Sequence, residues 1–281
     1  MRLKGVRGSR NVEDRRGQKG GRGGKAGLGG VGLLVVLAIG YFAGIDVTPL
    51  LDQVAEPQQT SAPRQISAQE ERAAVFTSKV LATTETVWGA VFPDQLGRTY
   101  TPPVLVLFSG QTSSPCGGAS GATGPFYCPA DNKAYLDTEF FATLARQLGA
   151  KGDFAAAYVI AHEVAHHVQN ELGILGEVNR QRAQMSKTDA NAITVRLELQ
   201  ADCLSGVWAR NVDGLLQPGD IKEALNAARM IGDDRLQRSA GRVPQPHTFT
   251  HGTSKQRAKW FARGYDNGEV AQCDTFAARQ L

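Results

Sequence analysis

The apolar and polar positions of this chain recur with helical and strand periods, and turn residues separate the blocks. Ser67 and Glu70 have the spacing of a capping box, which predicts a helix that begins there and ends near Pro93. The segment 103–109 is apolar and β-branched, which predicts a strand. Residues 133–137 predict a second short strand.

The second half of the chain is predicted to be almost entirely helical. An alanine-rich apolar run predicts a helix over about 153–172, and a further helical pattern covers about 188–211. Asp220 stands three residues before Glu223, and Thr253 stands three residues before Gln256. This spacing is typical of a helix start, so it predicts two more helices. Helices outnumber strands, and we therefore expect a mostly helical α+β fold with a small sheet.

The helix over 153–172 contains the pattern H-E-x-x-H at His162, Glu163 and His166. Positions i and i+4 share one face of a helix, so both imidazoles can bind a single metal ion. Glu163 lies beside them, where it can take a proton from a water on that metal. This combination is typical of zinc-dependent hydrolysis of a peptide bond.

Catalytic zinc commonly has three protein ligands, so a third is expected downstream. Glu198 and Asp202 share a face of the helix over 188–211, and Glu198 is predicted to be the third ligand of one zinc ion per chain. Asp202 is predicted to accept the other N–H of a ligand histidine. Glu171, Asp202 or a cysteine are the alternatives for the third ligand. Gln169 stands where a metzincin would have glycine, which argues against that class.

Positive charge is concentrated at the N-terminus. Residues 1–25 carry nine Lys/Arg against Glu13 and Asp14, a net charge of +7, while the whole chain has +4. The segment is Gly-rich and lacks apolar periodicity, so it is predicted to be a disordered tail that attracts anionic lipid headgroups. Since the rest of the chain is then acidic, no nucleic-acid partner is expected for the folded part.

Residues 26–45 contain no charged side chain, and as a helix they would span about 30 Å, the thickness of a bilayer core. The preceding basic residues predict a single-pass helix in the plasma (inner) membrane with a cytoplasmic N-terminus. Residues 46–66 are predicted to link it to a domain over 67–281 outside the cytoplasm. A cleaved signal peptide is the alternative, which the length of the run disfavours.

Gly40 and Gly44 form a GxxxG pair within this apolar segment. Such a pair lets two membrane helices approach closely and would support a homodimer. Ordinary membrane-helix composition explains the two glycines equally well.

Four cysteines in an exported domain predict disulfides. Cys116 and Cys128 bracket a Gly/Ser-rich loop and are expected to pair with each other. Cys203 and Cys273 would then remain as the second pair, although the other two connectivities stay open. The cysteines show no C-x-x-C spacing, which argues against a thiolate zinc site.

These motifs together resemble the bacterial neutral zinc metallopeptidase family, within the gluzincin class of thermolysin-like proteases. The residues that carry the resemblance are HEVAHHVQ at 162–169, LELQADCLSGVWA at 197–209, GPFYCPADNKAYLD at 124–137, FTHGTSKQRAKWF at 249–261 and NVEDRRG at 11–17. The resemblance covers nearly the whole chain. It implies a zincin-like fold, with the two metal-site helices packed against a small sheet, and a peptide or protein substrate.

The resemblance also implies catalytic roles. Glu163 would act as general base, and His251 would donate to the developing oxyanion, because several gluzincins place a later histidine over the substrate carbonyl. A structural role for His251 has nearly equal weight, and Arg257 is expected to be a surface charge or to orient His251 or bind substrate. A zinc-binding scaffold protein of the cell envelope, without turnover, is the alternative to a peptidase.

Overall fold

The computed structural model describes residues 1–17, 65–120, 124–141, 144, 152–212 and 214–281. Residues 1–16 and 67–281 form one compact unit. The predicted membrane helix over 26–45, its Gly40–Gly44 pair and nearly all of the linker lie outside the described residues. In the part of the chain that the structure describes, no helix has both the length and the apolarity that a bilayer crossing requires.

Two small sheets accompany the helices. The strands are β1 (Val12–Asp14), β2 (Val104–Phe108), β3 (Gln111–Ser114), β4 (Gly117–Ser120), β5 (Phe126–Cys128) and β6 (Lys133–Asp137). The main sheet has the order β1-β2-β6-β5, in which β1, β2 and β6 are parallel and β5 is antiparallel to β6. β3 and β4 form a separate hairpin. The two predicted strands, β2 and β6, are confirmed as the central pair.

Helices make up most of the unit, so the predicted mostly helical α+β class is confirmed. The helices are α1 (Ala68–Val91), α2 (Asp153–Glu171), α3 (Ile174–Arg182), α4 (Lys187–Asn211), α5 (Asp220–Met230), α6 (Asp233–Ser239) and α7 (Ser254–Asn267). Two capping boxes are present with both of their reciprocal hydrogen bonds. Ser67 and Glu70 cap α1, and Thr253 and Gln256 cap α7. Each box satisfies two backbone N–H groups that a helix start leaves without partners.

The disordered tail predicted for residues 1–25 is wrong for residues 1–16. β1 pairs with β2 so that Val12 lies opposite Leu105. The Met1 side chain is buried in the core, and its α-ammonium lies 2.9 Å from Asp153 Oδ1. The average composition of this basic, Gly-rich segment does not reveal the few apolar residues that pack in the core. The strand that pairs with β1 is also distant in sequence, so the pairing leaves no local pattern.

Helix α7 packs very closely against α4. A Cβ atom at Gly206 would overlap the carbonyl oxygen of Phe261, and one at Gly264 would overlap that of Cys203. The Cys203–Cys273 disulfide joins α4 to the segment that follows α7. These features hold the second half of α7 beside residues 203–206 of α4, next along the chain to Asp202 of the candidate site.

Both disulfides that the cysteine spacing favoured are present. Cys116–Cys128 closes a sequence separation of 12 and connects β5 to the β3–β4 hairpin, and Cys203–Cys273 closes a separation of 70. A crosslink stabilises a fold mainly by restricting the unfolded chain.

Candidate metal centre and catalytic cleft

Three predicted metal ligands converge between α2 and α4. His162 and His166 project from the same face of α2, with ring centroids 4.8 Å apart. Glu198 reaches them from α4, so that its Oε2 lies 3.1 Å from His162 Nε2 and 3.6 Å from His166 Nε2. The structure thus brings together two residues one helical turn apart and a third from a different helix.

The arrangement of these three side chains fits zinc. Their ligand atoms lie within 4.8 Å of one another. A tetrahedral zinc ion with bonds of about 2.1 Å places neighbouring ligand atoms about 3.4 Å apart, between the two distances that Glu198 makes to the histidines. Two imidazoles and one carboxylate also leave a fourth position open, as catalytic zinc sites do.

A neighbouring side chain orients each histidine through its other ring nitrogen. His162 Nδ1 lies 3.0 Å from Asp202 Oδ1, and His166 Nδ1 lies 2.8 Å from Gln169 Oε1. With a proton on Nδ1 facing each acceptor, Nε2 keeps its lone pair for a metal. The contact between His162 Nδ1 and Asp202 is short, but its geometry is not that of a hydrogen bond.

Gln169 is a residue of the candidate site that the sequence motifs did not identify, since it served there only to exclude a metzincin. Its side chain is fully buried, and its Nε2 donates to Leu197 O at 2.7 Å and to Gln200 Oε1 at 3.0 Å. These two bonds hold Oε1 toward His166. The i,i+3 spacing from His166 to Gln169 is the signal that could have identified it.

Asp202 is the centre of a buried polar cluster. Arg257 donates to both carboxylate oxygens at 2.9 Å, and Tyr158 donates its hydroxyl to Oδ1 at 2.5 Å. Arg257 is only 2% exposed, so the expectation of a surface charge is wrong, and its partner is Asp202 rather than His251. Tyr158 was also missed, although it lies one turn before His162 on the same face of α2.

The electrostatics of this cluster favour a buried anion at Asp202. Burial by itself raises the pKa of a carboxyl, but the adjacent Arg257 charge and the contact with His162 lower the pKa of Asp202 to about 2. Burial opposes charge on His162 as well, yet the contacts with Asp202 and Glu198 raise its pKa to about 10 in the metal-free site. A cation bound at this site would replace the proton that the acidic neighbours of His162 attract.

Glu163 is half-buried and lines the same cleft as the three ligands. Burial raises the pKa of its carboxyl, while the positive charges of His166 and His162 oppose that shift. A carboxyl group with a raised pKa beside a candidate metal site is suited to exchange a proton with water.

His251 lines this cleft from the loop before α7, and its side chain is 47% exposed. The Asp233 carboxylate accepts backbone N–H groups from Thr250, His251 and Gly252 at 2.6–2.9 Å, which fixes the loop. Asp233 Oδ1 also lies 3.5 Å from His251 Nδ1. Asp233 was missed because a short helix start carries little sequence signal.

The cleft has a volume of about 470 Å³, and both polar and apolar side chains line it. The apolar part of its lining comes from Phe126, Phe140, Val159, Leu175, Leu197, Ile231 and Leu236. Its lining residues come from the loop before β5, from β5 itself and from the helices α2, α3, α4 and α6. The cleft is large enough for several side chains of a peptide.

His167, the third histidine of α2, is not part of the cleft. Its ring is buried between Tyr100 and Tyr127, and Nε2 contacts the carbonyl oxygen of Thr101 at 2.6 Å. Burial lowers its pKa, so it is a neutral packing residue. This agrees with its position on α2, about 100° from His166.

Comparison with known proteins places these residues in a family context. A family model described as "Putative neutral zinc metallopeptidase" matches residues 1–276. The chain is 49% identical to Uncharacterized protein YpfJ of Escherichia coli K12, over 98% of this chain and 99% of that protein. It is 45% identical to Uncharacterized protein Mb2605 of Mycobacterium bovis, over 70% of this chain and 68% of that protein. No solved structure matches.

Proposed function

Since this chain belongs to the neutral zinc metallopeptidase family described by that model, we propose that it hydrolyses peptide bonds at the site formed by His162, His166 and Glu198. The observation that supports this most directly is the position of Glu163. A structural zinc site requires only the ligands, whereas here a half-buried carboxylate faces the same open cleft.

In the proposed reaction, zinc supplies Lewis-acid chemistry when bound, because it acidifies water and polarises a carbonyl group. His162, His166 and Glu198 hold the ion and leave one side open to the cleft. Glu163 accepts a proton from the water that attacks the scissile carbonyl carbon and then delivers it to the leaving amine nitrogen. This transfer keeps the total charge at the site constant during bond cleavage.

His251 is proposed to hydrogen-bond the oxygen of the scissile carbonyl as negative charge develops there. Its exposed ring lines the same cleft as the predicted metal ligands, and Asp233 holds its backbone and lies near its Nδ1. Substrates would be peptides or proteins, with apolar side chains against the apolar walls of the cleft.

The proposal includes a location outside the cytoplasm and attachment to a membrane. Two disulfides support an oxidising compartment. The uncharged segment 26–45 has the length and composition of a membrane-inserting segment. A zinc-binding scaffold protein is the competing function, and it would need the three ligands without Glu163.

A comparison of the full chain with its Glu163→Gln variant tests the proposed reaction. Both are loaded with zinc and incubated with a peptide library, and cleavage is measured by mass spectrometry. We expect Glu163→Gln to retain one zinc per chain and to lose cleavage by about 10²–10⁴-fold, the usual effect of removing a general base. The full chain is needed, because residues 1–16 belong to the folded unit.

Glu177→Gln is the matched control, since Glu177 is an exposed residue of α3 outside the cleft. It should cleave like the unmodified chain. Equal cleavage by the Glu163→Gln variant would refute Glu163 as the base. Stoichiometric zinc without cleavage in any of the three proteins would instead favour the scaffold function.

A further inference from the structure

The chain leaves the compact unit at Arg16 and returns to it at Ser67, and these two points lie side by side. Arg16 Nη1 donates to the carbonyl oxygen of Glu70 at 2.8 Å, and Nη2 contacts Glu71 Oε2 at 3.0 Å. Both partners belong to the first turn of α1. The intervening chain, which contains the uncharged residues 26–45, therefore begins and ends at one place on the surface of the unit.

Residues 1–16 are an integral part of this unit. Besides the β1–β2 pairing, the Arg2 N–H donates to Leu215 O at 2.7 Å and the Ser9 N–H donates to Ser78 O at 3.0 Å. Met1 is 6% exposed. Placing residues 1–16 and 67–281 on opposite sides of a membrane would remove a strand from the sheet and uncover part of the core.

A shallow apolar groove lies next to this exit point, between the N-terminal segment and the first turns of α1. We call it the α1 groove; its residues are Leu3, Lys4, Ala68, Glu71, Arg72, Val75, Phe76 and Lys79. Its volume is about 530 Å³, and Val75 in it is 49% exposed. An exposed apolar floor of this kind is suited to contact with lipid.

The charges around the groove have one predominant sign. Lys4 and Arg72 are exposed, and Lys79 also lines the groove and donates from its Nζ to the carbonyl oxygen of Leu3. The acidic Glu71 is paired with Arg16. A basic rim around an apolar floor matches the surface of an anionic bilayer, where headgroups attract cations and the acyl region accepts apolar side chains.

We propose that the α1 groove rests on an anionic lipid bilayer and that residues 1–16 and 67–281 lie on the same side of that bilayer. This arrangement replaces the single crossing that the charge pattern predicted, and it is independent of peptidase activity.

Two exposed valines allow the docking surface to be tested. Val75→Cys and Val243→Cys are made in the full chain, and Val243, which is 80% exposed and outside the groove, serves as the control. Each is labelled with an environment-sensitive fluorophore and reconstituted into phosphatidylethanolamine vesicles with or without phosphatidylglycerol. We expect a blue shift and quenching by spin-labelled lipids at position 75 only, and more strongly with phosphatidylglycerol.

A charge reversal separates docking of the groove from simple membrane insertion. Arg72→Glu in the Val75-labelled chain should remove most of the quenching, whereas Lys259→Glu, an exposed charge of α7, should leave it unchanged. The proposed docking surface would be refuted if neither labelled position were quenched, or if positions 75 and 243 were quenched equally. Quenching that is insensitive to Arg72→Glu would also refute it.

The shared side of the membrane is tested on intact cells with a membrane-impermeant maleimide. Arg7 and Val243 are both exposed, so single cysteines at these positions report on the N-terminal segment and on the rest of the unit. Equal labelling of the two variants, both before and after permeabilisation, supports one compartment. If only one of the two positions is labelled in intact cells and the other is labelled only after permeabilisation, the chain crosses the membrane once and the proposal is overturned.

Discussion

At the residue scale, the candidate site depends on side chains that hold other side chains in place. Gln169 and Asp202 each face the Nδ1 of one ligand histidine and so set the direction of its Nε2. Arg257 in turn holds Asp202. The ligands alone form the motif, but their orientation comes from residues that a motif search does not contain.

The role of Gln169 leads to a prediction about metal affinity. Gln169→Met removes the acceptor of His166 Nδ1 while it keeps a side chain of similar length. Zinc affinity should fall by about 10–100-fold, the usual effect of losing a partner of a ligand histidine. The measurement is competition with a chromophoric chelator.

Gln181→Met, an exposed substitution on α3, is the control for the change of side chain. It should bind zinc like the unmodified chain. An unchanged zinc affinity in the Gln169→Met variant would show that Gln169 does not orient His166.

The Asp202–Arg257 pair leads to a prediction about stability. Arg257→Met removes the guanidinium that binds both oxygens of the buried Asp202 carboxylate, and the loss of one partner of a buried ion pair reduces the free energy of unfolding by about 3–5 kcal/mol. Urea denaturation of the zinc-free full chain measures it. Lys259→Met, an exposed change on the same helix, should alter stability by less than about 0.5 kcal/mol. Equal effects of the two substitutions would contradict a buried pair.

At the scale of elements, the helices were predictable and most of the short pieces were not. Capping residues and apolar periodicity are local, so α1, α2, α4 and α7 have signals within their own sequences. Three-residue strands such as β1 and β5 contain too few positions to show a period. Their existence depends on partners far along the chain, since β1 pairs with β2 about ninety residues later.

The close contact between α4 and α7 gives a prediction at this scale. Gly264→Ala places a methyl group against the backbone of Cys203, so it should separate the helices and reduce stability by about 1–3 kcal/mol. Thermal unfolding of the zinc-free full chain measures it.

Gly89→Ala is the matched control, because Gly89 lies in α1 and an added Cβ would contact nothing there. Since alanine favours helix more than glycine does, this variant should be stabilised by up to about 1 kcal/mol. A stabilised Gly264→Ala variant would mean that the two helices are not in such close contact.

At the scale of the whole molecule, the N-terminal segment is a structural part of the unit that carries the cleft. We predict that a chain lacking residues 1–16 loses more than about 2 kcal/mol of unfolding free energy, since it uncovers the edge of β2 and the pocket of Met1. Urea unfolding of the two chains measures it. Arg10→Glu, an exposed change within the segment, should have little effect. Unchanged stability after the deletion would show that the segment does not contribute to the fold.

The amino-acid sequence by itself determined which residues can bind a metal, because H-E-x-x-H and the Glu198–Asp202 spacing use the regular geometry of single helices. It also indicated the disulfide pairs and the main helices. Only the tertiary structure decided how these pieces meet: that Arg257 is buried against Asp202, that Asp233 holds the His251 loop, and that residues 1–16 join the sheet. Contacts of this kind depend on distant segments, and a local pattern carries no information about which of many distant partners packs against it.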